Sequence, residues 1–350
     1  MNEHWDYDPE KGWIPPTNAP SAYSVASDDS TPVAIDLRRE RLQAVSIALG
    51  ISFITLLTAA LQYLLAFLVY RFAPAIADAD WYYIVLSTAP MYAFAMPLSL
   101  LLFRIGRSDP PPTRRMSFPI WLGVLAICFT LMYAGNFIGI IVNAIISIFT
   151  GKPVVNELAE LTLNTPLWAN LLFCGILAPI LEEIFYRKLV IDRLRRYGDL
   201  PAVLMSGLLF GLIHGNFSQF FYASFVGIIF GYLYLRTGKL RYTIGLHMAV
   251  NLISGVYVTE MTKMLNPIFE STNPILAMVE NPLCLMMALL YFLFLAACMV
   301  ATPIALVLLW KKIRFEKAQV KLSGKTAVRV FLLNPAVWLL AALILLMFLG

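Results

Sequence analysis

Long apolar stretches recur along the 350-residue chain and are separated by short polar segments. A helix needs about 20 apolar residues to cross roughly 30 Å of hydrocarbon, and most of these stretches reach that length. The pattern therefore predicts an all-α fold, a polytopic membrane helix bundle with eight to nine transmembrane helices. In chain order the predicted spans are 43–70, 81–103, 117–149, 167–189, 201–214 (the short one), 217–236, 242–262, 283–310 and 328–349.

Two further segments differ from this pattern. Between the third and fourth spans, apolar residues of 153–165 recur at helical spacing, which predicts a helix lying in the membrane interface. Residues 1–40 are polar and rich in Asp, Pro and Ser, so we expect a disordered acidic cytoplasmic tail in which His4 has no role. The membrane domain then occupies 41–350.

Lysine and arginine concentrate in every second loop. The basic segments are 38–41, 104–115, 188–196, 236–241 and 311–329, whereas the opposite loops hold Arg71, Lys152 and Lys263. Because cytoplasmic loops carry the excess of positive charge, we expect a cytoplasmic N-terminus and a C-terminus outside. The predicted location is the cell membrane as a multi-pass protein, or the endoplasmic reticulum membrane in a eukaryote.

Composition agrees with the membrane class. Hydrophobic residues make up 60% of the chain and charged residues 13%, about half the charged share of a soluble domain. The net charge of +5 is explained by basic loops facing anionic lipids, so membrane lipids are expected partners and nucleic acid is not. The 4 cysteines lie in apolar stretches without a CxxC pair, which indicates neither disulfides nor a cysteine zinc site.

Ionisable side chains inside membrane spans are costly and point to function. The fourth predicted span contains Glu182, Glu183 and Arg187, the fifth ends at His214, and the seventh contains His247 and Asn251. Taken singly, these residues have structural explanations, such as a buried ion pair or a hydrogen bond between helices. Packing alone does not require the whole set on three neighbouring helices.

The spacing of these residues predicts how they pair. Glu183 and Arg187 are four positions apart, so they share a helix face and can form an ion pair. Glu182 points roughly 100° away from Glu183, which leaves it as the candidate general base. His247 and Asn251 are also four apart and present one face together.

The depth of the side chains gives a second test. Counted at about 1.5 Å per residue from the cytoplasmic ends, Glu182 and His247 lie roughly 10 Å deep, Asn251 about 15 Å and His214 about 20 Å. A single polar pocket therefore requires tilted helices or a sunken fifth helix. His214 is the member whose depth fits least well.

The three ordered motifs resemble those of a known family. The pattern EExxxR, FxxxH and HxxxN reads here as Glu182–Arg187, Phe210–His214 and His247–Asn251. In this it resembles the CPBP family, the type II CAAX prenyl endopeptidases and their bacterial relatives, also called the Abi family. The resemblance covers about 165–260, which would be the catalytic core of the membrane domain.

The resemblance implies an intramembrane endopeptidase that hydrolyses a peptide bond of a membrane-anchored peptide or protein, prenylated CAAX-type substrates included. It implies that Glu182 and His214 activate a water, while His247 and Asn251 stabilise the oxyanion. It also implies that the ion pair of Glu183 and Arg187 fixes the geometry of the site. The expected catalytic residues are Glu182, Glu183, Arg187, His214, His247 and Asn251.

Metal dependence is left open by the sequence. Glu182, His214 and His247 are a possible zinc-binding set with an open position for water. In that arrangement Glu182 would not be free to act as the general base, and no HExxH motif is present. We favour a glutamate-dependent hydrolase with no assigned cofactor and keep zinc as the alternative.

A second function class also remains open: a non-catalytic or immunity-type membrane protein, involved in bacteriocin self-protection, that uses the same fold as a scaffold. The intact motif set argues against it, because a scaffold need not keep these side chains together. An ion or proton carrier is a weaker alternative, since the outer halves of the spans lack a trail of polar residues. The sequence indicates neither the substrate nor the oligomeric state.

Overall fold

The computed structural model describes the backbone of Asp6–Asp8 and Gly12–Ile14 and the whole of residues 36–349. All regular secondary structure in the described part of the membrane domain is helical. Its helices are α1 (Leu37–Phe72), α2 (Tyr82–Phe103), α3 (Phe118–Thr150), α4 (Glu157–Leu163), α5 (Leu167–Tyr197), α6 (Asp199–Leu212), α7 (Phe217–Thr237), α8 (Leu240–Val250, Asn251–Tyr257 and Val258–Phe269 without a break), α9 (Pro274–Glu280), α10 (Pro282–Lys312), α11 (Gly324–Leu332) and α12 (Pro335–Leu349). A short 3₁₀ turn, Pro74–Ile76, follows α1.

The N-terminal segment is a separate unit that ends at Asp36. Within it, β1 (Asp6–Asp8) pairs antiparallel with β2 (Gly12–Ile14), with Asp6 opposite Ile14. The expected disordered tail over 1–40 falls largely outside the described residues, as does His4, so both stay predictions. The helical domain begins at Leu37, a few residues before the predicted start.

The polytopic helical bundle is confirmed, with fewer spans than the eight to nine expected. Six helices of the described chain are long and apolar enough to cross a membrane, namely α1, α2, α3, α5, α7 and α10. A seventh is gained if α11 and α12, which meet at a bend of 61°, count as one span. The predicted spans at 201–214 and 242–262 do not pass this test.

Each of these two exceptions has a physical reason. α6 has 14 residues and rises roughly 21 Å, which is less than the hydrocarbon thickness. α8 is long enough, but its second half carries Glu260 and Lys263, paired at 2.7 Å, which lowers its apolar character. The helix expected within 153–165 is present as α4, whose N-terminus is capped by the side chain of Asn156, and its location in the membrane interface stays a prediction.

α5 extends eight residues beyond its predicted end. The basic stretch after Lys188 continues the helix because its arginines find partners inside the bundle. Arg193 donates to the backbone oxygen of Leu189 at 2.9 Å and to that of Phe103, and Arg195 donates to the Pro110 oxygen at 2.8 Å. The arginines that resemble a loop in the sequence therefore belong to the buried end of α5.

α7 lies between two apolar cores. One core contains Phe185 and Phe210 together with side chains of α1, α2 and α12, and the other contains Phe129 and Phe230 together with side chains of α8 and α10. α3 approaches α7 closely at Gly135, where an added Cβ would lie 2.5 Å from the backbone of Tyr222. Small residues at helix contacts allow this close packing in membrane proteins.

The five basic segments meet at one end of the helical domain. One ion pair joins them, between Glu40 and Arg196 at 3.0 Å. The other bonds go to backbone oxygens: from the Arg41 side chain to Arg329 (3.2 Å), and from the backbone N–H groups of Asp109 to Asp192 (2.8 Å), Arg114 to Thr237 (2.7 Å) and Gln319 to Arg196 (2.9 Å). Lys152 follows the far end of α3, whose 33 residues correspond to roughly 50 Å. The bundle thus has a basic end and an opposite end.

Candidate active site

The polar motif residues lie next to irregular helical turns. α2, α5 and α8 each contain π-helical segments, namely Pro90–Ala95, Asn170–Leu177, Ile184–Ile191 and Asn251–Tyr257. Such wider turns are rare and frequently mark functional sites, because each shifts the facing of the side chains that follow. Glu182 and Glu183 lie between the two π-helical segments of α5.

Glu183 and Arg187 form the predicted ion pair, and both side chains are fully buried. Arg187 Nε donates to Glu183 Oε2 at 3.0 Å and Nη2 donates to Oε1 at 3.1 Å. The third donor, Nη1, bonds Ser206 Oγ of α6 at 3.0 Å, and the guanidinium carbon lies 5.0 Å from the centre of the Phe210 ring. The two-fold arginine–carboxylate contact fixes the guanidinium within α5, and the bond to Ser206 joins α5 to α6.

His247 lies between the two glutamates. Its Nδ1 donates to Glu183 Oε1 at 3.1 Å, and its Nε2 faces Glu182 Oε2 at 3.7 Å. The ring also packs against Phe210 and Phe230, with centroid distances of 5.6 Å and 5.3 Å. One imidazole is thus held in a fixed orientation by Glu183 and aims its second nitrogen at Glu182.

Glu182 is more accessible than its neighbour and has a hydrogen-bond partner that the spacing of the motif did not predict. Its side chain keeps 14% exposure, against none for Glu183. Its Oε1 accepts a hydrogen bond of 2.7 Å from the hydroxyl of Tyr92 on α2. Sequence reasoning missed Tyr92, because a tyrosine in an apolar span carries no charge that would single it out.

His214 lies at the tip of the α6–α7 hairpin, in a turn where Gly215 has a φ of +68°. Its Nδ1 faces the backbone oxygen of Phe210 at 2.7 Å, so Nδ1 carries the proton and Nε2 keeps a lone pair when the ring is neutral. The Phe210 ring contacts the rings of both His214 and His247, at 5.2 Å and 5.6 Å. Electrostatic interactions with Glu182 and His247 place His214 in the same cluster.

The depth of His214 is explained by the length of α5. Glu182 is 15 residues from the end of α5 at Tyr197, and His214 is 15 residues from the start of α6 at Asp199. Both distances correspond to roughly 22 Å along a helix. The depth of roughly 10 Å deduced for Glu182 rested on a helix end at 189 and is too small.

Asn251 lies on α8 one turn after His247, and its amide points to a backbone group. Nδ2 donates to the backbone oxygen of Cys174 at 2.9 Å, within a π-helical segment of α5. Wider turns leave carbonyl oxygens without their usual partner, and this bond satisfies one of them. The second hydrogen of the same amide nitrogen remains for another acceptor.

The zinc alternative finds little support in the arrangement of donors. Within residues 36–349, no group of three or more His, Cys, Asp and Glu side chains is arranged to hold a metal ion. Glu182, His214 and His247 therefore share a cluster without converging on one point.

Comparisons with known proteins point to the same part of the chain. Residues 164–253 match the family model described as "Type II CAAX prenyl endopeptidase Rce1-like". A curated protein of Bacillus subtilis (strain 168), named "Putative membrane peptidase YdiL", is 28% identical over 102 residues, which cover 29% of this chain and 42% of that protein. The similarity thus spans less than half the length of this relative. No solved structure is significantly similar to the chain.

The matched residues contain all three motifs, the α6–α7 hairpin and the first part of α8. The family expected from the motifs is therefore confirmed for the segment that builds the site. Residues 164–253, which contain the candidate site, are thus similar to the Rce1-like family of type II CAAX prenyl endopeptidases.

Proposed function

We propose that this protein is a membrane-embedded endopeptidase that hydrolyses a peptide bond of a membrane-associated substrate of the CAAX type. The observation that carries the proposal is the position of His247 between two carboxylates. Glu183 orients the ring, and Nε2 faces the more accessible Glu182 at 3.7 Å. A water beside Nε2 and Oε2 would contact a base and a donor together.

The proposed reaction begins with a water that gives a proton to Glu182 Oε2 as its oxygen attacks the scissile carbonyl. His214 Nε2 keeps a lone pair and helps to hold that water. Nε2–H of His247 and the second amide hydrogen of Asn251 donate to the oxyanion. When the C–N bond breaks, Glu182 returns the proton to the leaving amine, so the carboxylate is regenerated.

The oxyanion donor on His247 has one chemical requirement. Nδ1 already donates to Glu183, so an N–H at Nε2 as well requires the imidazole ring with a hydrogen on both nitrogens. Glu182 and Glu183 carry two negative charges beside the single positive charge of Arg187, so one further positive charge would balance the cluster.

Replacement of Glu182 tests the function. Glu182→Gln keeps the shape of the side chain and removes the base, so cleavage of a fluorogenic prenylated CAAX peptide by protein in liposomes should fall at least about 10³-fold. Glu280→Gln, at the exposed last residue of α9, is the matched control and should keep wild-type activity. Activity of the Glu182→Gln protein within tenfold of wild type would refute the proposed mechanism.

The substrate class is tested separately. We expect the prenylated peptide to be cleaved faster than the same peptide without its prenyl group, because the proposed site lies among membrane helices. Equal rates would retain the peptidase and remove the prenyl group from the proposal. A cellular phenotype, such as bacteriocin resistance, that survives Glu182→Ala would instead favour the non-catalytic immunity function.

Chelation tests the metal alternative. Since the donors do not converge on one point, we expect purified protein treated with EDTA or 1,10-phenanthroline to keep its activity. Loss of activity that returns with added Zn²⁺ would contradict this expectation. The thermal unfolding temperature, measured in the same samples, separates loss of a catalytic ion from unfolding.

A further inference from the structure

Tyr92 belongs to a part of the chain that the family match does not reach. It lies on α2, whereas the matched segment begins at residue 164. The π-helical segment Pro90–Ala95 places it on the face of α2 that meets α5. Pro90 at the start of this segment has no N–H and removes one helical hydrogen bond, which favours a local change in winding.

The contact between Tyr92 and Glu182 is short and specific. The hydroxyl donates to Oε1 at 2.7 Å, within the range of hydrogen bonds to an ionised carboxylate. The other oxygen, Oε2, faces His247 Nε2 at 3.7 Å. The two oxygens of Glu182 therefore have different surroundings: one is held by a donor and the other points into the reactive cluster.

We propose that Tyr92 is a positioning residue that holds Glu182 Oε1 and so selects Oε2 as the oxygen that takes the proton from water. This inference rests on the proposed function of Glu182. Tyr92 keeps its own proton throughout, and the proton of the water moves to Oε2 alone. The hydroxyl fixes the plane of the carboxylate, so the base is oriented before substrate binds.

Other groups around Glu182 do not provide this function. The ionisable side chains that interact with it electrostatically include Cys174, Tyr186, His214 and Tyr222, and His247 faces it directly. The Tyr222 hydroxyl accepts from Gln219 at 3.2 Å, and the Cys174 carbonyl accepts from Asn251. Tyr92 is the hydroxyl that bonds the carboxylate at 2.7 Å.

Tyr92→Phe removes the hydroxyl and keeps the ring. We expect kcat for the prenylated CAAX peptide to fall about 10- to 100-fold with KM changed less than threefold, as for loss of a hydrogen bond to a charged group. The acid limb of the pH–rate profile should move to higher pH, because the charged form of the base has lost a donor. Tyr83→Phe, on the same helix and 53% exposed, is the matched control and should change neither kcat nor the pH–rate profile.

A second measurement does not depend on activity. A hydrophobic carbodiimide modifies protonated carboxyl groups, so labelling of Glu182, followed by mass spectrometry against pH, reports its protonation directly. We expect the labelling midpoint of Tyr92→Phe to lie at higher pH than that of wild type. Equal midpoints in two folded proteins would overturn the inference, whether or not the protein cleaves peptides.

The two proposals fail in different ways. If wild type cleaves, Glu182→Gln does not, and Tyr92→Phe matches wild type in rate and pH profile, Tyr92 has no positioning role while the peptidase stands. If wild type fails to cleave and the labelling midpoint shifts, the contact tunes Glu182 and the proposed function is wrong. A Tyr92→Phe protein with a lowered unfolding temperature and an unshifted midpoint would make the hydroxyl purely structural.

Discussion

At the residue scale, the cluster is built around one buried ion pair that orients everything else. The Glu183–Arg187 pair fixes His247 on one side and Ser206 of α6 on the other. Its spacing of four residues was enough to predict the pair. The contact of His247 with both glutamates was not predictable, because it depends on how α8 packs against α5.

Removal of Arg187 should be costly. Arg187→Met leaves Glu183 buried without its cation, so the free energy of unfolding in detergent should fall by about 3–5 kcal/mol. Arg104→Met, at an exposed position, is the control and should stay within about 0.5 kcal/mol of wild type. Adding Glu183→Gln to Arg187→Met should recover part of the stability without restoring activity. A loss below about 1 kcal/mol for Arg187→Met would contradict the role assigned to the pair.

At the element scale, the length of the apolar stretches predicted most of the helices, and local charged residues led to wrong boundaries for others. The predicted spans 81–103, 217–236 and 283–310 agree with α2, α7 and α10 to within two residues. α5 was shortened because Lys188 and the arginines after it resemble a loop. The π-helical segments leave no trace in hydropathy, since they change the winding of a helix and not its composition, and Tyr92 was missed for that reason as well.

The close contact of α3 with α7 provides a test at this scale. Gly135→Ala would press a methyl group onto the backbone of Tyr222, so we expect a loss of about 1–3 kcal/mol in unfolding free energy. Gly255→Ala is the matched control, because no atom lies within 4 Å of its added Cβ. There the same substitution should be neutral or slightly stabilising, since alanine favours helix. Equal effects at the two positions would argue against tight packing of α3 on α7.

At the scale of the whole molecule, the basic segments gather at one end, as expected if they all face the cytoplasm. The alternation of loops along the sequence predicted this arrangement, although α6 is too short to cross. The α6–α7 hairpin resolves the difference, because it begins and ends at the basic end and leaves the alternation intact. The sequence overestimated the number of full spans, but it correctly predicted that the basic loops share one end of the bundle.

Cysteine labelling can test the proposed orientation. Lys152→Cys and Lys321→Cys place a thiol in exposed loops at opposite ends of the bundle. In intact cells, a membrane-impermeant maleimide should label Lys152→Cys and should label Lys321→Cys only after permeabilisation. The four native cysteines serve as an internal background in the parent protein. The reverse labelling pattern would place the N-terminus outside.

The hairpin tip has a consequence for how a substrate must enter. α6, with 14 residues, places His214 roughly 22 Å from the basic end, at the same depth as Glu182. An extended peptide advances about 3.4 Å per residue, so a chain arriving from that end needs about six residues to bring its cleavable bond to this depth. Under the proposed function, the length of α6 sets the minimum number of residues that a substrate entering from the basic end must have before its cleaved bond. A substrate with fewer residues must instead enter laterally from the lipid bilayer.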